Sequence, residues 1–267
     1  MLGGKDYASA RYIYTNLEDY TRSLFPEADE PLLNYLREEG LSIEPSFYVP
    51  ILPLVLVNGA EGIGTGWSTQ IPQYSPLHII ENLKEKLRSN RPFKRMEPWL
   101  RGFKGEMKFN EATLQFVSMG KYTTNFQTNV LEITELPFKK WTRDYKTFLE
   151  ELIQADEITD IKEHHRDDSV RFEIIVPKLR ELASQEGAIE KKFKLSSTIS
   201  LNNMVLFDTN MQIRKYNNEL EIMDEFFPVR YSLYAKRKEH LLDLMNRDLA
   251  LMLNKCRFIN GVNDGTV

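Results

Sequence analysis

Residues 58–67 read Asn-Gly-Ala-Glu-Gly-Ile-Gly-Thr-Gly-Trp, a stretch with four glycines within eight residues. A backbone with so few side chains can enter tight spaces. Ile63 stands between Gly62 and Gly64, and an apolar side chain on a nearly bare backbone suits a wedge inserted into a base stack. The alternative is a hairpin apex with Ile63 folded back into the core, and the stretch taken alone favours that alternative. A Walker phosphate loop is excluded, because no Lys-Ser or Lys-Thr pair follows the glycines.

Local patterns predict the elements on either side of this stretch. Residues 51–57 form an apolar, β-branched run before Asn58 and Gly59, which predicts a strand followed by a turn. Ser75 and Pro76 have the residue types of an N-cap and a first helical position, so a helix is predicted to begin there. Its apolar side chains recur at helical spacing, at Leu77, Ile80, Leu83 and Leu87.

The middle of the chain mixes both kinds of element. The pattern predicts a helix capped by Thr142, whose apolar face carries Tyr145, Phe148, Leu149 and Leu152. Strands are predicted at 130–136, 170–176, 194–207 and 211–216, with a turn at 208–210. Such a mixture favours an α+β fold.

The last part of the chain changes character. A helix is predicted from Glu219, with a kink or a break at Pro228. Its apolar residues are spaced three and four apart, as in a coiled-coil seam, at Leu242, Met245, Leu249, Met252, Cys256 and Ile259. The seam stops near Gly261 without a returning helix, and the chain opens within a helical region. We therefore expect this sequence to be an internal piece of a longer protein.

The opening segment, residues 8–20, is predicted to be a helix that carries Arg11 and Tyr12. By composition alone, Tyr12 is interpreted as a packing residue. The functional alternative is attack of its phenol on a phosphodiester. A pKa near ~10 makes the neutral phenol a poor nucleophile at pH 7, so the reaction needs a base and nearby positive charge. Arg11 could supply that charge as negative charge accumulates on the phosphate.

Composition narrows the class of protein. Apolar residues make up 42% and charged residues 28% of the chain, as in ordinary globular domains. No apolar run approaches the roughly 20 residues of a membrane helix, and no signal peptide is recognised at the start. The single cysteine, Cys256, cannot form an internal disulfide, which favours an intracellular, reducing compartment.

The charge is unevenly distributed. The net charge of −4 argues weakly against nucleic-acid binding. However, residues 84–104 contain eight basic and two acidic residues, a local net of +6, and residues 149–168 contain the reverse, a local net of −6. Local positive charge is enough to attract phosphates. The alternative is two differently charged solvated surfaces.

Three motifs together resemble the breakage-reunion region of eukaryotic DNA topoisomerase II, a type IIA topoisomerase. They are Gly-Gly-Lys-Asp at 3–6, Ala-Arg-Tyr-Ile-Tyr-Thr at 10–15 and the glycine stretch at 58–67, in the family's order and spacing. Gyrase-type relatives from bacteria have a different glycine loop, so the eukaryotic branch fits better. The resemblance extends over nearly the whole chain, through 132–137 with 141–142, 193–195, 204–208 and 234–238.

The resemblance implies roles for individual residues. Tyr12 would be the nucleophile that becomes a 5′-phosphotyrosine, Arg11 the stabiliser of the transition state, and Ile63 the intercalating residue that helps to bend the gate DNA. It also implies a DNA-contacting stretch that consists of Lys194, Leu195, Ser196, Ser197, Thr198, Ile199, Ser200, Leu201, Asn202 and Asn203.

The resemblance also implies an α+β architecture of three parts. These are the C-terminal part of a winged-helix domain at 1–50, a mixed α/β tower domain at 51–216, and the first helix of a long coiled coil at 217–267. The longer protein would be a nuclear, homodimeric, ATP-dependent enzyme that cleaves double-stranded DNA transiently, passes a second duplex and religates. No membrane association is expected.

Metal and nucleotide sites are expected outside this chain. The sequence contains neither an Asp-x-Asp cluster for Mg²⁺ nor an ATPase motif. Asp167 and Asp168 stand beside His164 and His165, and we interpret them as a solvated turn. We therefore expect no metal or cofactor to be held by this chain alone, and the isolated chain to be inactive, with Mg²⁺ and ATP bound by the parent protein.

Two other classes of function stay open. A non-catalytic module could bind and bend DNA with the same basic surface and the same Ile63 wedge. A structural protein could associate through the seam of 242–259. A covalent DNA adduct at Tyr12 distinguishes the enzyme from the first alternative, and self-association without DNA affinity identifies the second.

Overall fold

The computed structural model of the protein describes residues 8–110, 113, 115–166 and 168–266. The motif at 3–6 and Asp167 lie outside the described residues. The described helices are α1 (Thr21–Leu24), α2 (Leu54–Asn58), α3 (Pro76–Ser89), α4 (Thr142–Gln154), α5 (Leu179–Ala183), α6 (Ala188–Lys192) and α7 (Glu219–Asn263), with 3-10 turns at Ala10–Tyr12 and Glu27–Leu32.

The described strands pair antiparallel throughout. They are β1 (Tyr35–Glu38), β2 (Leu41–Pro45), β3 (Ala60–Ile63), β4 (Ser68–Ile71), β5 (Glu106–Asn110), β6 (Gln115–Met119), β7 (Lys121–Asn125), β8 (Val130–Glu135), β9 (Asp160–Glu163), β10 (Phe172–Ile175), β11 (Ser196–Ile199), β12 (Met204–Phe207) and β13 (Ile213–Tyr216). One sheet has the order β7-β8-β10-β9, a second has β11-β6-β5, and the remaining strands form the hairpins β1–β2, β3–β4 and β12–β13.

Two hydrophobic cores organise these elements. The first packs α2, α3, the base of the β3–β4 hairpin, β12 and the start of α7, around buried residues such as Leu56, Ile79 and Met223. The second packs α4, α5 and α6 on the four-stranded sheet, around residues such as Leu149 and Phe172. The architecture is thus a mixed α and β fold that ends in a long helix, which confirms the α+β prediction.

Several predicted elements are confirmed. The strand expected at 130–136 is β8, and the alternating run at 170–176 contains β10. The helix expected near Thr142 is α4, although Trp141 occupies the N-cap and Thr142 is its first helical residue. Its predicted face is correct, because Tyr145 and Leu149 are buried in the second core and Phe148 and Leu152 pack against them.

The strand predicted at 51–57 is wrong, because residues Leu54–Asn58 form the short helix α2. Pro53 precedes this helix, a place where its fixed φ is compatible with helix entry. Leu56 is fully buried, and its carbonyl accepts a hydrogen bond from the Tyr74 amide at 2.7 Å. The Asn-Gly pair therefore ends a helix, with Gly59 at φ 69°, rather than turning a strand.

The helix predicted at 8–20 is also wrong. The structure has a 3-10 turn at Ala10–Tyr12 followed by non-helical backbone up to residue 20. Tyr14 and Leu17 are 103% and 78% exposed, so the segment buries no apolar face. Since a short helix without tertiary packing is marginal in water, helical propensity alone does not hold this one together.

The apolar face predicted for α3 is only partly correct. Leu77 and Leu87 are exposed, whereas Ile79 and Asn82 are the buried side chains. Asn82 tolerates burial because its amide pairs twice with the Lys94 backbone, accepting at 2.8 Å and donating at 3.1 Å. The predicted start is correct, with Pro76 as first helical residue, but Ser75 makes no side-chain cap hydrogen bond.

Helix α7 runs for 45 residues as one element, so the break considered at Pro228 is wrong. Asn218 caps its start by accepting the Glu221 amide at 3.0 Å. On either side of Pro228, Met223 and Leu233 are buried, and their packing offsets the backbone hydrogen bond that proline removes. All six residues of the predicted seam are exposed within this chain, from Leu242 to Ile259.

Candidate nucleic-acid interface

Tyr12 lies at the end of the short 3-10 turn, where its amide donates to the Ser9 carbonyl at 2.9 Å. Its side chain is 76% exposed, and the guanidinium carbon of Arg11 lies 5.9 Å from its ring centroid. The phenol is therefore accessible to a phosphate, with a cationic group beside it. The structure thus agrees with the expected exposure of Tyr12 but not with the expected helix.

Asp29 connects this opening segment to α7. Its carboxylate, 4% exposed, pairs with Arg230 at 2.8 Å and with Arg237 at 2.5 Å through both carboxylate oxygens. Arg230 also donates to the Val49 carbonyl at 3.0 Å. Burial by itself would raise the pKa of Asp29, but the hydrogen bonds from Arg237 and Arg230 outweigh burial and hold that pKa below its ordinary value. The segment that follows Tyr12 is thus tied to the long helix by an ionic cluster.

Ile63 lies at the tip of the β3–β4 hairpin. The Gly64 amide donates to the Trp67 carbonyl at 2.7 Å and closes the tip, where Gly66 adopts φ 77°. The Ile63 side chain is 94% exposed, so the alternative in which it folds back into the core is wrong. An isolated, fully exposed isoleucine on a narrow glycine-rich tip has the shape required of a wedge.

The base of the same hairpin is fixed by the first core. Ala60 and Ile71 face each other across the two strands and pack into that core. Gly59 is required at the entry to β3, because a Cβ there would lie 2.8 Å from the Ile71 carbonyl oxygen. The tip therefore projects from a rigid base.

The stretch expected to contact DNA, 194–203, consists of β11 and the loop that follows it. Its apolar side chains belong to the protein interior: Leu195, Ile199 and Leu201 are 0%, 2% and 5% exposed. Those three side chains cannot contact DNA in this structure, which corrects the expectation for them. Lys194, Ser196, Thr198 and Asn202 are exposed and can reach a phosphate or sugar.

Hydrogen bonds join this stretch to the wedge hairpin. The Asn203 carbonyl accepts from the Gln70 amide at 2.8 Å, and the Asn203 side-chain amide donates to Ser68 Oγ at 2.8 Å. Within β12, the Val205 amide donates to Thr69 Oγ1 at 3.2 Å. The structure therefore brings Ile63 and the loop of 200–203 onto one rigid unit.

Lys194 is held in a defined position. Its backbone is left-handed, with φ 50°, and its Nζ lies 4.0 Å from the Phe148 ring centroid. A cation over an aromatic face is attracted to it, so the ammonium is oriented without being neutralised by a carboxylate. The role of Lys194 toward DNA stays a prediction.

A cavity beside the hairpin has no counterpart among the sequence-based expectations. It has a volume of about 660 Å³ and lies between the hairpin and residues 135–142. Lys139 and Glu61 form an ion pair at its edge. Burial raises the pKa of the Glu135 carboxyl, which also lines it. The signal in sequence, Lys139 next to Lys140, is too common to mark a site without the fold.

Metal and membrane features were searched for across the described residues. Within residues 8–110, 113, 115–166 and 168–266, no three His, Cys, Asp or Glu side chains are grouped so as to hold a metal ion. In the same part of the chain, no helix combines the length and the apolar character that crossing a membrane requires.

Comparison with known proteins places this geometry in a family. The model of the DNA gyrase/topoisomerase IV family, in its A-type component, matches residues 1–266. The chain belongs to this family. The match extends over nearly the whole topoisomerase chain, in agreement with the resemblance to type IIA topoisomerases that the glycine stretch indicates.

The relatives of this topoisomerase chain are much longer proteins. It is 46% identical to "DNA topoisomerase 2" of Pisum sativum over 100% of this chain and 18% of that relative. It is 42% identical to "DNA topoisomerase 2" of Plasmodium falciparum over 96% of this chain and 18% of the relative. It is also 42% identical to "DNA topoisomerase 2, mitochondrial" of Dictyostelium discoideum over 98% of this chain and 20% of the relative. The chain thus spans about a fifth of their length.

A solved structure matches the topoisomerase chain closely. The crystal structure of the Plasmodium falciparum topoisomerase II DNA-binding, cleavage and re-ligation domain superimposes with a TM-score of 0.87 at 41% identity. The match covers 99% of this chain and 36% of that one. The fold described above is therefore shared with part of a DNA-binding, cleavage and re-ligation domain.

Proposed function

We propose that this chain is the DNA-gate segment of a type II DNA topoisomerase, which cleaves both strands of a duplex, passes a second duplex and reseals the break. One observation carries the proposal: Tyr12 is exposed beside Arg11 in a chain whose fold matches a DNA-binding, cleavage and re-ligation domain. The projecting Ile63 supports it independently, because a gate must grip and bend the DNA that it cuts.

In the proposed reaction, the phenolic oxygen of Tyr12 bonds to the phosphorus of a DNA phosphodiester. The bond from that phosphorus to the 3′ oxygen breaks, the phenolic proton passes to a base, and the 3′ oxygen takes up a proton as a hydroxyl. The DNA is left with a 5′-phosphotyrosine and a free 3′-hydroxyl. Religation is the reverse attack, and it needs no outside energy because one phosphodiester is exchanged for another.

Arg11 contributes positive charge where the phosphate gains negative charge. Its guanidinium lies on the Tyr12 ring side, within reach of oxygens on the attacked phosphorus. A preorganised charge at that point stabilises the transition state more than the ground state. This makes Arg11 the residue of the described chain that we assign to transition-state stabilisation.

Mg²⁺ and ATP do not fit the described residues, since no cluster of carboxylates or histidines in that part of the chain could hold a metal ion. The steps above therefore involve neither of them. As part of the proposal, the full-length protein binds Mg²⁺ and ATP elsewhere, acts on double-stranded DNA, and is a homodimer that brings two copies of Tyr12 to the two strands.

Nuclear localisation is the corresponding proposal for the cell. Its support is the resemblance to eukaryotic DNA topoisomerase II, whereas the Dictyostelium discoideum relative is named mitochondrial. Fluorescence imaging of the full-length protein fused to a fluorescent marker tests it. Exclusive mitochondrial signal would replace the nuclear assignment without affecting the proposed chemistry.

The deciding experiment is trapping of the covalent adduct in the full-length protein. Tyr12→Phe removes the nucleophilic oxygen but keeps the ring, so DNA cleavage should be abolished while duplex affinity changes by less than about twofold. Tyr14→Phe is the matched control, because Tyr14 is two residues away and 103% exposed. Cleavage that persists in Tyr12→Phe excludes the nucleophile assignment and leaves the non-catalytic DNA-bending module as the better function.

A further inference from the structure

Glu61 and Ile63 share one face of the wedge hairpin. Side chains alternate along a strand, so residues two apart in β3 point the same way, about 7 Å from one another along the strand. Gln70, directly opposite Glu61 in β4, also lies on this face and lines the 660 Å³ cavity. The opposite face carries Ala60 and Ile71, which pack into the first core. The cavity therefore opens on the wedge side of the hairpin.

Lys139 reaches this face from outside the hairpin. It follows β8, and its ammonium forms an ion pair with the Glu61 carboxylate. The same Nζ lies 5.5 Å from the Phe138 ring centroid. Its backbone is left-handed, with φ 61°, an uncommon conformation for a residue with a side chain. These features place one lysine charge on the same hairpin face as Ile63.

Further cationic groups line the same cavity. Arg101 and Lys140 have no ion pair within the part of the chain that the structure describes. Glu135 opposes them, but its carboxyl is partly withdrawn from solvent. With Lys139 included, three cationic and two anionic side chains line the cavity, so its local charge is positive although the whole chain is acidic.

We propose that Lys139 is a DNA-phosphate contact beside the wedge, held in place by Glu61 until a phosphate replaces the Glu61 carboxylate. Arg101 and Lys140 extend the same contact along the duplex arm that leaves the opened base step. The proposal rests on the proposed function, because it needs Ile63 to meet duplex DNA. It adds a positioning residue on the tower side of the wedge.

The exchange of partners is physically inexpensive. Lys139 and Glu61 are 37% and 64% exposed, so their ion pair is well solvated and contributes little to stability. A phosphate offers the ammonium a stronger field, and the DNA releases counterions when its phosphates are neutralised. Without Lys139, the Glu61 carboxylate would face the DNA unpaired, only two residues from the wedge.

The two members of the pair have opposite expected effects, which separates a phosphate contact from a structural brace. In a full-length protein carrying Tyr12→Phe, so that binding occurs without cleavage, Lys139→Met should weaken duplex binding about fivefold to tenfold at roughly 100 mM salt. The slope of log K against log salt should become shallower by about 0.9, equally for different DNA sequences. Glu61→Gln should instead tighten binding about twofold to fivefold, and Lys139→Arg should retain affinity. Fluorescence anisotropy of a labelled duplex measures all four quantities.

Lys146 and Glu163 provide the matched control pair. They form an ion pair at 2.6 Å with side-chain exposures of 43% and 31%, on α4 and β9 rather than at the cavity. Lys146→Met and Glu163→Gln should each change affinity by less than about twofold. The proposal is overturned if Lys139→Met changes the affinity and the salt slope no more than Lys146→Met does. It is also overturned if Glu61→Gln and Lys139→Met weaken binding alike, because that is the behaviour of a brace.

The proposed function fails in a different way. If the Tyr12→Phe parent shows no salt-dependent duplex binding at all, both proposals are overturned together. If the parent binds and the wild type forms the covalent adduct, but Lys139→Met matches its control, only the Lys139 contact is lost. The two failures are therefore distinguishable in one series of proteins.

Discussion

At the scale of single residues, Ile63 has the clearest expected effect on DNA geometry. Its side chain is 94% exposed on a tip whose base is fixed in the core, so truncation should leave the protein fold unchanged. Partial unstacking of a base step costs a few kcal/mol, offset by contacts along the bent duplex. In the full-length protein, Ile63→Ala should reduce the bend angle measured by fluorescence energy transfer and lower duplex affinity by roughly tenfold or less.

Ile213→Ala is the matched control for that experiment. Ile213 is also an exposed isoleucine, 44% accessible, and it belongs to the β12–β13 hairpin. Its truncation should leave the bend angle unchanged. A bend of wild-type size in Ile63→Ala would mean that the duplex is bent by other contacts and that Ile63 is not a wedge.

Single residues differed in how far the sequence could predict them. Tyr12 and Ile63 could be selected because each stands in a short motif whose neighbours constrain its role. Leu195, Ile199 and Leu201 could be recognised as interior only once β11 was paired with β6, because an isolated stretch does not reveal which face of a strand is covered. Lys139 could not be selected at all, since its partner Glu61 lies 78 residues away.

At the scale of elements, the Asp29 cluster decides how the opening segment is held against α7. Asp29→Asn keeps the shape of the side chain but leaves Arg230, itself 3% exposed, without a counter-charge. Removal of one partner from a buried ion pair costs roughly 3–5 kcal/mol of unfolding free energy. Urea denaturation of the chain should show that loss at neutral pH. Glu30→Gln, which breaks the solvated pair with Arg22, is the control and should change stability little.

The same cluster predicts a pH dependence with a defined sign. The two arginines hold the pKa of Asp29 below its unfolded value of about 3.9. A carboxyl with a lowered folded-state pKa contributes stability above the unfolded value and loses it as the pH falls through the folded value. The difference between wild type and Asp29→Asn should therefore be constant from neutral pH down to about 5 and shrink below about 4. A difference that grows on acidification would contradict this account.

Element type was predicted well where burial follows a regular period and poorly elsewhere. The alternation at 170–176 and the helical period from Tyr145 are visible because one face of each element is buried in the second core. Residues 51–57 have strand-like composition, yet Pro53 and Gly59 place a helix between them. The segment 8–20 has helix-forming residues, yet it buries no apolar face. In both failures, context overrode local propensity.

At the scale of the whole molecule, the chain order conceals the way the two cores share elements. β11 contributes Ile199 to the first core, while Leu195 just before it packs in the second. The first core also takes Ile222 and Met223 from the start of α7. A linear division into 51–216 and 217–267 could not anticipate this sharing. Its consequence is that the wedge hairpin, the stretch of 194–203 and the long helix are joined through one packed unit.

The isolated 267-residue chain should neither cleave DNA nor relax supercoils. Phosphoryl transfer needs a nucleophile, an activated phenol and charge stabilisation on the phosphate, and the described residues supply Tyr12 and Arg11 but no grouping that could hold a metal ion. Duplex binding by the chain should be weak and steeply salt-dependent, because backbone phosphates are its main partners. A relaxation assay of the purified chain with Mg²⁺ and ATP, against a Tyr12→Phe control, measures this. Relaxation above that control would show that the catalytic groups are complete within these residues, and the assignment of metal binding to the rest of a longer protein would be wrong.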